Sequence, residues 1–361
     1  MKMPTFPASL CVAAIAFALT PLASAQLTVS NGEDVSFNLG FMAQAWGDAN
    51  QTADASGLQG YQQNLFLRRI RLMVGGQIAK DVTFFFQTDQ PNLGKTPKVL
   101  NSGFLVQDAF VEWKARNAFR LDAGLMIVPF SRNGLQSPAS YYTLDVSPLS
   151  TVTNTSTQSS ALRDAGFQAR GFLLNNRLQY RTGFFQGERD NNAKNSLRGA
   201  AYVQYDFFGR ESGYTFVGTA LGKQKILAVD GGFDKQSSYR GLSGNIAAAI
   251  PVRGGDEIGG QFQYFNYDGG TKFPTIARQN DYLVEGAYYS HAIKLQPFGK
   301  FEAQSFTDPT AQVKDIHRAG GGVNYYVHGQ NLKFTLQGLR AKQRGLPWTS
   351  ELTAQFQVFY F

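Results

Sequence analysis

The chain has almost no cysteine: Cys11 is the only one in 361 residues. It sits in a segment with the features of a secretory leader, with Lys2 as a basic start, an apolar run from Ser9 to Leu19, and the small-residue cleavage pattern Ala23, Ser24, Ala25. That run is about 11 residues long, well short of the roughly 20 that a spanning helix needs. The reading is a signal peptide over residues 1–25 and a mature domain over 26–361 with no cysteine at all. Disulfide staples, thiolate metal sites and cysteine nucleophiles are thereby excluded.

Histidine is almost as scarce, with three in the chain. No GxSxG, HExxH, Walker or CxxC pattern occurs, and "GGDEIGG" (Gly254 to Gly260) lacks dinucleotide-loop spacing and reads as a turn. His291 and His328 fall in or beside short turns, and His317 lies near a long-loop rim beside Asp315. The chain reads as a non-enzyme with no cofactor. The alternatives from other classes are a barrel-embedded lipid hydrolase, which would need a serine and histidine pair on the outer wall, and a non-conducting ligand-binding barrel or adhesin. A net charge of +8 is mildly basic, but the Lys and Arg are scattered along strands rather than gathered in an arm, so nucleic acid is not a partner.

Long hydrophobic runs are also missing after the leader. Yet the chain is 43% hydrophobic and 14% aromatic, with 30 Phe, 16 Tyr and 38 Gly, and its mean hydropathy is still −0.24. Apolar content that averages away in this fashion is apolar content placed on every second residue. Leu332, Phe334 and Leu336 alternate with Lys333, Thr335 and Gln337, and Leu352, Ala354, Phe356, Val358 and Tyr360 alternate with Glu351, Thr353, Gln355 and Gln357. Sixteen such segments are predicted, near 33–46, 64–77, 81–90, 103–115, 118–128, 163–174, 176–187, 197–208, 222–233, 238–250, 256–268, 279–290, 293–306, 315–328, 331–342 and 349–361, with fourteen or eighteen as alternatives. Tight links such as Arg116-Asn117 and Asn175-Asn176 interleave with long polar connections at 47–63, 91–102, 129–162 and 269–278; the stretch from Phe208 to Gly222 breaks that rule on the short side.

Short turns at one rim and long loops at the other predict an all-β fold, a transmembrane antiparallel β-barrel of about sixteen strands in a single domain. A soluble sandwich would also alternate, but would gain nothing from ending on an apolar edge strand such as "LTAQFQVFYF". In a closed barrel the last strand pairs with the first and no edge survives.

The strand "NLFLRRIRLMVGG" (Asn64 to Gly76) carries three arginines. Parity puts Ile70, Leu72 and Val74 toward lipid and Arg69 and Arg71 toward the lumen, where a guanidinium escapes the roughly 2–4 kcal/mol cost of the bilayer midplane. Arg68 has lipid parity and is expected at the rim. The same rule gives Arg120, Arg170, Arg181, Arg198, Lys300, Arg318 and Lys333 as lumen bases, and Asp108, Glu112, Asp122, Asp206, Glu257 and Glu302 as lumen acids. Collectively such charges set which ion a narrow passage concentrates; singly, any one of them only hydrates the wall. The longest loop, 129–162, is too long for a passive connector. If it folds inward, Arg132, Tyr141 and Tyr142 line a constriction, with Arg163 where the chain re-enters the sheet.

Several stretches resemble the phosphate-selective porin O and P family of Gram-negative outer membranes: "LRRIRLMVGGQIAKDVTFFFQTD" (Leu67 to Asp89), "QDAFVEWKARNAFRLDAGLMIVPFSRNGLQSP" (Gln107 to Pro138), "LQPFGKFEAQ" (Leu295 to Gln304), "GGVNYYVHGQNLKFTLQ" (Gly321 to Gln337) and the aromatic end. The resemblance implies a homotrimer of sixteen-stranded barrels in the outer membrane, each with its own pore and an inward-folded third extracellular loop, passing small solutes and anions, phosphate among them. Arg132, in "PFSR", is the residue carried over from the family motif. The expected partners are the lipid bilayer and lipopolysaccharide, small anions, and the outer-membrane assembly machinery through the terminal Phe361. The mixed signs among the lumen charges argue against exclusive anion transport.

Overall fold

The computed structural model describes residues 27–31, 35–100, 103–189, 196–308 and 314–361. The segment read as a leader lies outside the described residues. A short strand β1 (Leu27–Asn31) precedes sixteen longer ones. The first eight are β2 (Val35–Asp54), β3 (Gly57–Ala79), β4 (Val82–Asp89), β5 (Leu105–Arg116), β6 (Phe119–Ile127), β7 (Arg163–Leu173), β8 (Leu178–Phe185) and β9 (Arg198–Asp206). The remaining eight are β10 (Ile226–Gln236), β11 (Tyr239–Pro251), β12 (Glu257–Asp268), β13 (Gln279–Tyr289), β14 (Leu295–Phe306), β15 (Ile316–Tyr326), β16 (Leu332–Gln343) and β17 (Trp348–Tyr360).

Each strand from β2 to β17 pairs antiparallel with its sequence neighbour, and β17 closes on β2, with Glu351 opposite Asn50 and Tyr360 opposite Phe41. The sixteen predicted strands form one cylinder. β1 folds back as a hairpin on the lower end of β2, Leu27 opposite Leu39, and continues the column that β17 leaves at Tyr360.

Alternation is visible residue by residue. On β16, Lys333, Thr335 and Gln337 are buried while Phe334 and Leu336 are exposed; on β17, Thr353, Gln355 and Gln357 are buried while Leu352 and Phe356 are exposed. The same outer face carries Phe41, Leu72, Val111, Phe167, Val203, Ile246, Phe262, Val284 and Phe301. The inner face is rich in glutamine. Gln44, Gln87, Gln168, Gln204, Gln263, Gln296 and Gln357 are all buried, and an amide that both donates and accepts suits a wall that must bond to whatever fills the lumen.

Two expectations need correction. The connection at 47–63 is a continuation of the sheet: β2 and β3 run on as a polar hairpin to a two-residue turn at Ala55 and Ser56. Asp54 Oδ1 accepts from both the backbone N (2.8 Å) and the hydroxyl of Ser56 (2.5 Å), and Gly57 takes a positive φ of 121°, so the turn is locally fixed although neither strand is apolar there. The ninth predicted strand, 222–233, begins later, at Ile226, because the connection between β9 and β10 carries Glu211, Phe216 and Thr219 into the barrel.

Strand parity fixes a measurable asymmetry. Leu336→Arg, on the outer face within β16, is expected to cost roughly 2–4 kcal/mol, whereas Ser350→Arg, outward but near the long-loop end of β17, costs about 0–1 kcal/mol. Urea titration of the protein folded into lipid vesicles reads both, and equal costs would contradict the assigned depth.

Candidate functional site

β6 ends at Ile127, and two residues later Pro129 removes a donor that a continuing ladder would need. The chain then turns into the lumen. Ser131 caps a single helical turn, α1 (Arg132–Leu135), its Oγ accepting from Gly134 N at 3.2 Å. Beyond it the loop crosses to the far wall. Gln44 donates to Pro138 O, Lys333 and Gln357 donate to Ala139 O, Asn324 donates to Tyr142 O, Thr143 donates to Glu285, and Ser147 donates to Glu302 at 2.6 Å. Glycines on the inner wall make the room: a Cβ at Gly259 would meet the Tyr142 ring at 2.9 Å, and one at Gly232 would meet the Phe130 carbonyl carbon at 2.7 Å.

Between this loop and the wall of β3 to β7 lies a cavity of about 360 Å³. Its lining includes Arg68, Arg69, Arg71 and Arg163, with Asp89, Asp145, Gln107 and Tyr141. Arg68 and Arg69 both reach Asp145 of the loop, at 2.6 and 2.5 Å; Arg71 holds Asp89 at 2.8 Å and Arg163 holds Asp108 at 3.2 Å. Four arginines against Asp89, Asp145 and the Asp108 behind Arg163 leave a formal +1 in a space partly shielded from bulk water.

Arg68 departs from its expected place. A bulge sets Gln44 opposite Arg69 and Ala45 opposite Leu67, so Arg68 is the extra residue and swings to the loop instead of the lipid rim. The signal was present in the sequence: adjacent arginines cannot both face inward on a regular strand. Asp145 and Asp89 were not singled out from sequence. Burial pushes the Asp145 carboxyl up, but the Arg68 and Arg69 guanidinium groups more than offset that and hold it well below the usual carboxylate range. Burial also pushes the Tyr141 hydroxyl up to about 12.

The other sequence candidates are inside the barrel but not around this cavity. Arg132, expected at a constriction, is locked on the opposite side of the loop: it pairs with Glu211 at 2.7 Å, donates to Gln204 at 3.0 Å, and lies 4.9 Å from the Phe216 ring centroid. Tyr142 points away too, donating to Ala248 O on β11. Arg120, Arg170 and Arg181 stand side by side across β6, β7 and β8 toward the short-turn mouth. Like charges in register repel; Glu112 and Asp122 offset them, both bonded to Arg170, while Arg181 donates to the carbonyls of Gly213 and Tyr214. Arg318 is half-buried near Glu302, which pairs with Lys300 at 2.9 Å. Arg198 pairs with Asp234, and Asp206 and Glu257 accept from residues of the 207–225 connection.

The three histidines sit elsewhere. His317 stacks on Phe301 of the outer wall, His291 N donates to Asp256, and His328 precedes a short turn. Among the described residues no group of three or more His, Cys, Asp or Glu could hold a metal ion.

A closed sixteen-strand cylinder that is apolar outside, polar inside and crossed by a pinned loop is a porin-type barrel. Residues 37–205, spanning β2 to β9 with the inserted loop, match the family described as phosphate-selective porin O and P. Among solved structures, it is similar to the anion-selective porin from Comamonas acidovorans (12% identity, 91% of this chain and 100% of that chain, TM-score 0.60). It is also similar to OprB of Pseudomonas putida (9% identity, 91% and 94%, TM-score 0.63) and to OmpT, an outer membrane protein of Vibrio cholerae, in its trimer form (11% identity, 91% and 100%, TM-score 0.57). At these identities the likeness is one of fold. No curated protein matches the chain.

Asp145→Ala removes an anchor that two guanidinium groups share, at roughly 1–3 kcal/mol per lost bond. The barrel should still fold, with a looser loop, a noisier single-channel current and a stronger preference for anions. The sign with pH follows from the lowered carboxyl: the anchor is fully present above the ordinary carboxylate range and is lost only as pH falls through the depressed value. Wild-type conductance at pH 4 should therefore match that at pH 7; a rise at pH 4 would mean the anchor had released.

Proposed function

We propose that the protein is a porin of the Gram-negative outer membrane, exported with residues 1–25 as its leader, through which small hydrophilic solutes and ions diffuse with a preference for anions. The observation that carries this is the cavity flanked by Arg68, Arg69, Arg71 and Arg163, four guanidinium groups against the three carboxylates of Asp89, Asp145 and Asp108 that hold them. Each guanidinium is held in place by a carboxylate, and the excess of positive charge raises the local concentration of anions. Arg71 spends Nε and Nη2 on Asp89, which leaves the Nη1 side of a planar, fixed donor for a passing oxyanion. Phosphate-like anions fit that chemistry, and the family match supports it.

The exposed apolar outer wall supports insertion in a bilayer, with lipid and lipopolysaccharide as neighbours. A homotrimer is the proposed assembly, in keeping with the family resemblance and the trimer form of the Vibrio cholerae structure. Phe361 is the proposed recognition residue for the assembly machinery; it packs on Phe85 with ring centroids 5.6 Å apart. No enzymatic role is proposed.

Purified protein in a planar bilayer should give stepwise conductance, and the reversal potential across a KCl gradient should have the sign of chloride preference. Arg71→Gln combined with Arg163→Gln should move it several-fold toward cations in permeability ratio. A reversal potential already at the cation side in the wild type would overturn the anion preference and leave the porin.

A further inference from the structure

The connection between β9 and β10 is 19 residues long, 207–225, at the end of the barrel where other links are short turns. It does not hang outside. Leu135 and Phe216 exchange backbone bonds with each other's neighbourhood, Phe216 N to Leu135 O at 2.9 Å and Ser137 N to Phe216 O at 2.9 Å, making a short parallel bridge to the inward loop. Thr219 N donates to Ser140 O, and the Thr219 hydroxyl donates to Glu257 across the lumen. Arg132 and Arg181 lie against the Phe216 ring, at 4.9 and 5.0 Å. Two inserted segments, one from each mouth, are thus fastened together inside the cylinder.

What this insertion presents to the β3–β5 wall is Tyr214. Its ring lies 4.7 Å from Phe110 and 6.1 Å from Phe85, which are themselves 6.0 Å apart. Its hydroxyl accepts from Ile127 N at 2.8 Å and donates to Asp108 at 3.2 Å, so the hydroxyl end of the ring is tied twice. Met42, Met73 and Ala139 pack with Phe85 in the same layer. Reading inward residues down β5 gives Asp108, Phe110, Glu112; down β3 it gives Arg69, Arg71, Met73. An apolar layer therefore separates the arginine cavity from the row Arg120, Arg170, Arg181 nearer the short-turn mouth.

Resting on the porin reading above, we infer that Tyr214 closes an apolar collar with Phe85, Phe110, Met73 and Met42, and that this collar sets what leaves the arginine cavity. A hydrated anion concentrated by the arginines has no polar partner in the collar and passes only as the Tyr214 ring yields space and water enters. Tyr214 is thus a specificity-determining residue supplied from the periplasmic side, and the inward loop alone does not define the narrowest point.

The test is single-channel conductance of the full-length barrel in planar bilayers. Tyr214→Ala should raise conductance by about twofold or more, and admit larger uncharged polyethylene glycols. Tyr214→Phe keeps the ring and should stay at the wild-type level. Tyr214→Cys, treated with a charged methanethiosulfonate, should change conductance on modification, since Cys11 is the only other cysteine in the chain. A silent wild type with a conducting Tyr214→Ala supports the collar in its tightest form. Equal conductance in wild type and Tyr214→Ala overturns the inference and leaves the porin. A rise in Tyr214→Phe as large as in Tyr214→Ala assigns the effect to the hydroxyl bonds and also overturns it. If no variant and no wild type conducts, the porin reading itself fails, and the collar with it.

Discussion

Closure of β17 onto β2 is the constraint from which the rest follows. Hydrocarbon offers no partner to a backbone N–H or C=O, so every strand at bilayer depth needs a neighbour on both sides. Once the ladder from Asn50 and Glu351 down to Phe41 and Tyr360 is formed, two neighbours per strand follow for all sixteen, and each residue has one of two fates, lipid or lumen. The period of two then does the sorting without any continuous apolar run. It also explains how a chain with negative mean hydropathy can sit in a membrane.

A cylinder of sixteen strands has an interior too wide for its own side chains to fill. Here the filling is done by chain segments, and the wall is chosen to receive them. Glutamines and asparagines on the inner face bond to backbone groups of the loop, as Asn324 does to Tyr142 O and Gln357 to Ala139 O. Those bonds matter because loop carbonyls and amides taken out of bulk water each cost free energy if left unpaired. The two clamps of opposite character, Asp145 with Arg68 and Arg69 on one side and Arg132 with Glu211 on the other, hold the loop from both faces.

Much of this was legible in the sequence, and what was not has identifiable causes. Sixteen strands, with fourteen or eighteen as alternatives, and the short and long ends follow from the alternating segments and their links, and the inward orientation of Arg69, Arg71, Arg120, Arg170 and Arg181 follows from parity, since a regular strand admits no other arrangement. Parity fails where the strand is irregular: the bulge at Arg68 reverses its side, and no single residue in "LFLRRIRL" announces it beyond the doubled arginine. The polar hairpin of β2 and β3 reads as loop in the sequence because hydrophobic alternation ends where the lipid ends, while backbone pairing continues. Arg132 and Tyr142 are inside the barrel as expected, but which face of a loop a side chain takes depends on contacts with residues far along the chain, Glu211 and Ala248, and no local pattern encodes that. The connection 207–225 was visible only as an exception to the rule of alternating lengths.

The pairing of nearly every lumen arginine with a carboxylate bears on how such a channel can select. An unpaired guanidinium in a narrow passage would bind an anion tightly and slow its release, since conduction needs a site that ions enter and also leave. Arg71 on Asp89 and Arg163 on Asp108 are already neutralised in part, and their carboxylates hold the planar groups in fixed orientations. What remains is a modest excess of positive potential rather than a set of strong sites. That favours rapid, weakly discriminating passage of anions through the charged zone, and it shifts the burden of discrimination to the uncharged layer beneath, where size and hydration decide.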